Sequence, residues 1–196
     1  MAQAQAQQPD LGVPGTLQAV LTAEQIQRRV TDIARQINGD YVGKTVYIVG
    51  VLEDCFVFVA DLVRQIELPV ICQFVKPETQ EVQRGETGGT GTTEIFFSPE
   101  VYVKGGDVLL IHGLLQTGVT TEFLHRNLLA RGAKSVKICA LLDRQASRRV
   151  LLQPDYFGFL LDEKYVFGYG LGAPNLGRNL PYIATTKEAA ARSNAK

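Results

Sequence analysis

Residues 108–121 read VLLIHGLLQTGVTT, and this stretch decides the fold. Its apolar run, 108–111, is short enough for a buried parallel strand. Residues 117–121 form a small, hydroxyl-rich turn, after which a helical pattern begins with Phe123, Leu124, Leu128 and Leu129. A strand, turn and helix of this kind direct free backbone N–H groups and a helix N-terminus towards an anion. An ordinary strand-to-helix connection is the alternative interpretation.

Composition excludes several classes of function. With 196 residues the chain is long enough for one domain with a proper core. Lys plus Arg equals Asp plus Glu at 20 each, so no net charge favours nucleic acid or a membrane. No apolar stretch approaches the ~20 residues of a membrane span, and no signal peptide is recognisable. We expect a cytoplasmic protein whose three cysteines are buried free thiols: Cys55, Cys72 and Cys139.

The pattern along the chain predicts a single domain over residues 16–185. A disordered Ala/Gln-rich tail, 1–15, precedes it, and a C-terminal tail, 186–196, follows. Thr22-Ala-Glu-Gln25 is typical of a capping box and opens a helix that Asn38-Gly39 ends. Residues 77–93 are polar and glycine-rich, which indicates a flexible loop.

Strands are predicted at 45–51, 68–75, 108–111 and 135–142, with a returning strand within 94–103. They alternate with helical patterns, including one near residues 55–65, and this order favours an α/β fold with a mostly parallel sheet and helices on both faces. Ligands of such sheets bind at the carboxyl ends of the strands. That rule places Glu53, Gln116 and Arg144 around one crevice.

Four further stretches accompany the central one in a recognisable order. They are KTVYIVGVLEDCFVFVADLVR at 44–64, LLDR at 141–144, YVFGYGL at 165–171 and RNLPYI at 178–183. Over roughly residues 21–183 the chain resembles the hypoxanthine-guanine phosphoribosyltransferases, the purine-salvage branch of the type I phosphoribosyltransferases. The resemblance implies the type I fold with a small hood region, a closing loop at 77–93, and assembly as a dimer or tetramer.

The resemblance also assigns expected roles to residues that this chain retains. The 5′-phosphate loop corresponds to Thr117, Gly118, Val119, Thr120 and Thr121. Arg144 stands where a family lysine binds the purine 6-oxo group, Tyr165 where an aromatic ring stacks on the base, and Val166 where the backbone meets the purine edge. Arg178 corresponds to a residue that contacts pyrophosphate. The implied ligands are a purine nucleoside monophosphate or phosphoribosyl diphosphate.

At other positions the chain departs from the family pattern. His112 and Gly113 replace a Glu-Asp pair that binds the ribose and magnesium, and Gly172 replaces a third metal-associated Asp. Gln116 replaces the Asp proposed as general base. The pyrophosphate loop, usually Leu-Lys-Gly, reads Leu52, Glu53, Asp54.

These departures predict weak or absent catalysis. Magnesium prefers carboxylate oxygens, which the substituted positions lack. Glutamine does not accept a proton at neutral pH, and loss of a general base costs ~10²–10⁴-fold in rate. Glu53 and Asp54 would repel a diphosphate. We therefore expect no cofactor, or magnesium if the protein is active. A transition-metal site formed by His112, Glu53 and Asp54 is a remote alternative.

Each expected contact also has a purely structural interpretation. Tyr165 and Phe167 could be core residues, Arg144 and Arg178 solvated charges, and Thr120 and Thr121 simple helix caps. Three functions stay open. The first is a degenerate phosphoribosyltransferase that binds a purine nucleotide, and the second is an active enzyme with an unusual metal site. The third is a structural subunit of a mixed oligomer.

Overall fold

The computed structural model describes residues 17–82, 92–98, 101–163, 165–172 and 177–186. This part of the chain contains eight strands and three α-helices. In chain order they are β1 (Leu17–Leu21), α1 (Ala23–Asp40), β2 (Val46–Val51), α2 (Phe56–Val63), β3 (Val70–Val82), β4 (Thr92–Ser98), β5 (Asp107–Leu115), α3 (Val119–Ala130), β6 (Ser135–Asp143), β7 (Tyr156–Leu160) and β8 (Ile183–Thr186).

The main sheet has six strands in the order β4-β3-β2-β5-β6-β7. The strands β3, β2, β5, β6 and β7 are parallel, and β4 pairs antiparallel with β3 at the edge. The predicted α/β fold with a mostly parallel sheet is therefore confirmed.

Alternating side chains of the central strands form two separate cores. Leu109 and Ile111 of β5 pack in a cluster with residues of α1 and α2, including Ile33 and Phe58. Leu110 belongs to a second cluster with residues of α3. Because successive side chains of a strand point to opposite faces, the helices cover both faces of the sheet.

Helix α1 begins as its sequence predicts. The Thr22 side chain accepts a hydrogen bond from the Gln25 backbone, and the Gln25 side chain accepts one from the Thr22 backbone N–H. Its predicted apolar stripe is buried: Ile26, Val30, Ile33 and Ile37. The helix ends at Asp40, slightly beyond the predicted Asn38-Gly39 stop.

Strands β1 and β8 pair antiparallel and form a small second sheet that is not hydrogen-bonded to the main sheet as a strand. Phe167 and Ala184 exchange backbone hydrogen bonds, so this sheet also holds the segment that begins at Tyr165. It forms the hood region. Thr186, which was predicted to begin the C-terminal tail, is instead the last residue of β8, and 187–196 lie outside the described residues.

Several predicted boundaries were wrong. The central strand spans nine residues rather than four. Residues 77–82 of the predicted loop continue β3, and its last two residues belong to β4, whereas 83–91 lie outside the described residues. The predicted tail at 1–15 is also outside them. Cys55 and Cys139 are buried free thiols, as expected, but Cys72 is exposed on β3.

No helix in the described ranges is long and apolar enough to cross a membrane.

Candidate functional site

A pocket of about 200 Å³ opens where β2 and β5 end and α3 begins. The carboxyl ends of parallel strands are where α/β proteins bind ligands. Most predicted phosphate-loop, pyrophosphate-loop and substituted positions line this pocket together: Leu52, Asp54, His112, Gly113, Gln116, Thr117, Gly118, Thr120 and Thr121. A larger pocket of about 440 Å³ is lined by the 145–153 segment, which follows β6, and because none of its described lining residues is a predicted site residue we do not place the site there.

The turn before α3 presents unsatisfied donors to the pocket. Gly118 is the N-cap residue in the left-handed conformation, and no side chain caps this helix from that position. The first amides of a helix have no intrahelical acceptor, and Gly118, Thr120 and Thr121 at the start of α3 line the pocket. The interpretation of these two threonines as helix caps was wrong. Only Thr117 approaches that role, since its Oγ1 lies 3.5 Å from the Val119 nitrogen.

Both the backbone conformation and the small space around it require a glycine at position 118. Its φ is +80°, and a Cβ there would stand 2.8 Å from Cγ2 of Val150 and 3.1 Å from Cδ of Arg148. A residue with a side chain would therefore strain the turn and collide with the segment that follows β6.

Arg148 is a site residue that the motif comparison missed. Its guanidinium donates to the Gln116 carbonyl at 2.9 Å and to the Asp143 carboxylate. The neighbouring Arg149 backbone N–H donates to the Thr117 carbonyl. These bonds brace the phosphate loop from behind and bring a positive charge next to it. The cluster of arginines in QASRR after β6 was the available signal.

His112 is buried, and its burial favours the neutral imidazole. The residue is 7% exposed, and its Nε2 makes no hydrogen bond within the described residues. Burial lowers the pKa of His112 to about 4, and the charge of Arg148 adds to the effect. A neutral imidazole in this pocket offers a hydrogen bond to a ligand but no charge for magnesium.

Arg178 contacts the loop after β2, and Asp54 of this loop lines the pocket. Its guanidinium donates to Asp54 Oδ1 at 2.8 Å and to Glu53 Oε2 at 3.3 Å. Lys76 donates to the other Glu53 oxygen at 3.0 Å, and this bond, with the charges of Lys76 and Arg178, lowers the pKa of Glu53. Arg178 is only 20% exposed, so its interpretation as a solvated charge was wrong.

The site offers little to a metal ion. Among the described residues that line the pocket, Asp54 is the only acidic one, and its carboxylate pairs with Arg178. Gly172, at a lost acid position, lies against the Arg178 guanidinium. No three His, Cys, Asp or Glu side chains in the described ranges are grouped as metal ligands. The alternative of a transition-metal site at His112, Glu53 and Asp54 was therefore wrong.

The predicted purine residues lie on the hood side of the sheet ends. Arg144 is buried rather than solvated; it donates to the Glu163 carbonyl, and its backbone N–H donates to the Leu115 carbonyl. Burial lowers the pKa of Arg144. Tyr165 is 55% exposed, which contradicts its interpretation as a core residue, whereas Val166 and Phe167 are buried.

Fold and pocket together define an α/β protein of the phosphoribosyltransferase type. Residues 17–174 match the family model described as "Phosphoribosyl transferase domain". The chain is 34% identical over 168 residues to a hypoxanthine-guanine phosphoribosyltransferase of Aquifex aeolicus, covering 85% of this chain and 93% of the relative. It is 32% identical to one of Mycobacterium avium over 185 residues, or 91% and 90% of the two chains.

A solved structure of another hypoxanthine-guanine phosphoribosyltransferase has a similar fold. A crystal structure of a hypoxanthine-guanine phosphoribosyltransferase from Bacillus anthracis superposes with a TM-score of 0.76 at 30% identity. The match covers 86% of this chain and 96% of that one. The chain therefore belongs to the phosphoribosyltransferase family, and within it to the hypoxanthine-guanine phosphoribosyltransferases.

Proposed function

We propose that this protein binds a purine nucleoside monophosphate without magnesium and is a weak or inactive phosphoribosyltransferase. The observation that carries the proposal is the asymmetry of the pocket. One end retains an uncapped helix N-terminus beside Thr120 and Thr121. At the other end the only acidic residue in the described lining is Asp54, and its carboxylate is paired with Arg178.

The phosphate is placed at the start of α3. Orphan amides, the helix dipole and threonine hydroxyls favour an anion there without any cation. Arg148 behind the turn donates to the Gln116 carbonyl and pairs with the Asp143 carboxylate, so it supports the turn without adding an unmatched charge. The purine then extends towards Tyr165, whose exposed ring is available for stacking.

The ribose is placed beside His112. His112 lines the pocket, and a neutral imidazole can hydrogen-bond a ribose hydroxyl without a metal. Gln116, at the general-base position, supplies an amide that can orient a ligand but cannot remove a proton.

The test compares GMP with guanosine by calorimetry. GMP is expected to bind, and guanosine, which lacks the phosphate, to bind at least tenfold more weakly, since hydrogen bonds to a charged group contribute ~1.5–3 kcal/mol. Thr120→Val is expected to weaken GMP binding about tenfold. Thr31→Val, on the exposed face of α1, is the matched control and should change nothing. Equal affinity for GMP and guanosine would contradict the phosphate assignment.

An active purine phosphoribosyltransferase is the second candidate, and the similarity to relatives named as such enzymes favours it. Formation of IMP or GMP from phosphoribosyl diphosphate and a purine, at a rate comparable to that of such a relative, would establish it. If that activity then disappeared in Glu53→Ala, the Glu53 carboxylate would have a role in recruiting magnesium. The proposal of a weak or inactive enzyme predicts a rate lower by at least ~10²-fold.

A further inference from the structure

A balanced group of charges adjoins the pocket through Asp54, which lines it. Arg178, Lys76, Glu53 and Asp54, here called the Arg178 cluster, contain two cations and two carboxylates. Arg178 contacts both acids, at 2.8 Å from Asp54 and 3.3 Å from Glu53, and Lys76 contacts Glu53 at 3.0 Å. The positive charges that could attract an anion are thus already matched by the chain's own carboxylates.

The guanidinium of Arg178 is fixed in place by the backbone. It donates to the Gly170 carbonyl at 2.5 Å, and the Gly170 N–H donates to the Arg178 carbonyl at 2.9 Å. Arg178 is 20% exposed, which limits its freedom to turn towards a ligand. The ion pairs with Asp54 and Glu53 are therefore a feature of the folded hood and not of a freely moving surface side chain.

Two glycines make room for this arrangement. A Cβ at Gly113 would stand 2.2 Å from the Asp54 carbonyl oxygen. A Cβ at Gly172 would stand 2.7 Å from Nε and 2.9 Å from Cζ of Arg178. The loop that carries Glu53 and Asp54 thus occupies the space that a side chain at position 113 would fill. The guanidinium of Arg178 occupies the space that a side chain at position 172 would fill. Glu53, Asp54, Gly113 and Gly172 form one structural unit.

We infer that Glu53 and Asp54 are specificity-determining residues: as a resident substitute for an anion, they limit the pocket to a single phosphate group at the start of α3. A ligand that carries a second phosphate towards Arg178 must displace both carboxylates or lie next to them. Either outcome costs binding energy, since like charges repel and the ion pairs are lost. A nucleoside monophosphate avoids that cost. This inference rests on the proposed nucleotide site.

The test neutralises the two acids without changing their size. Glu53→Gln/Asp54→Asn is titrated with GMP and with phosphoribosyl diphosphate in EDTA, and the ratio of the two affinities is compared with that of the unmodified protein. The inference predicts that the ratio shifts at least tenfold in favour of phosphoribosyl diphosphate. Glu24→Gln/Asp32→Asn removes the same charge from exposed positions on α1 and must leave the ratio unchanged.

The outcomes separate the two proposals. If GMP binds to the unmodified protein and the ratio does not shift in the double variant, the inference is overturned and the proposed function stands. If GMP does not bind to the unmodified protein, both fail. An equal shift in the α1 control would mean that the ratio depends on the net charge of the protein and not on the position of Glu53 and Asp54. That outcome would also overturn the inference. Should the double variant not fold, Asp54→Asn alone retains the Glu53–Lys76 pair and must shift the ratio at least threefold.

Discussion

Gly113→Asp introduces an acid at a position where the family resemblance implies one, and we expect it to destabilise the protein. Its Cβ would stand 2.2 Å from the Asp54 carbonyl oxygen, which is backbone and cannot rotate away. The carbonyl must retreat by about 1 Å to reach ordinary contact, and the loop carrying Glu53 and Asp54 must move with it. The substitution therefore acts on the loop and on the ion pairs with Arg178.

The expected loss of unfolding free energy is about 1–3 kcal/mol. Overpacking contributes ~1–3 kcal/mol, and loss of a half-exposed ion pair ~0.2–1 kcal/mol. Replacing glycine returns ~0.4–1 kcal/mol through the unfolded chain.

Urea unfolding followed by circular dichroism measures the change, with an unchanged slope as the sign that only stability moved. Gly39→Asp is the matched control, since a Cβ at Gly39 meets nothing within 4 Å. It should change stability by no more than ~0.5 kcal/mol. If Gly113→Asp were as stable as Gly39→Asp, the loop after β2 would not be packed against β5 and the argument would be refuted.

Three other predictions follow from single sites. Because the pKa of His112 is lowered to about 4, the unfolded chain takes up a proton below its ordinary pKa of 6.5 while the folded chain does not. The free energy of unfolding therefore decreases as the pH falls from 6.5 to 4. In urea titrations at these two pH values, the unmodified protein should lose about 3 kcal/mol more than His112→Gln. Equal losses would contradict the burial of a neutral imidazole. Gly118→Ala should lower stability by ~1–3 kcal/mol and weaken GMP binding, because φ is +80° there; an unchanged Tm would count against the strained turn. A thiol reagent should modify Cys72 rapidly, and Cys55 and Cys139 only after unfolding; rapid modification of all three in the folded protein would contradict the core packing.

Local signals in the sequence predicted much of the fold. The capping box at Thr22 and the stripe containing Ile26 and Ile33 determine α1 through contacts within a few residues, so they were readable without the structure. The alternation of strands and helices predicted the parallel sheet because crossover connections leave few other arrangements. The pairing of β1 with β8 was not readable, since it joins the two ends of the domain.

The length of β5 was underestimated for a physical reason. A polar His112 and a Gly113 interrupt the apolar run, and both features usually mark the end of a strand. The strand continues because His112 is buried in its neutral form and Gly113 accommodates the Asp54 backbone. Neither circumstance is encoded in the local pattern.

The site residues divide in the same way. The turn at 117–121 was identified from its own sequence, and it does begin α3 at the pocket. The partners of Arg178 were not identified, because Asp54 lies 124 positions away along the chain. The sequence showed Glu53 and Asp54 as unpaired acids at a phosphate site, whereas the folded chain neutralises them with Arg178 and Lys76.

Calorimetric titration of GMP into the unmodified protein, in EDTA and again with magnesium, tests the central claim most directly. The proposed phosphate-binding groups at the start of α3 need no cation, and among the described residues that line the pocket the only carboxylate is that of Asp54, which is paired with Arg178. We expect the same dissociation constant in both buffers, within about twofold. Binding that requires magnesium, or no binding in either buffer, would contradict the claim that a metal-independent monophosphate site is present.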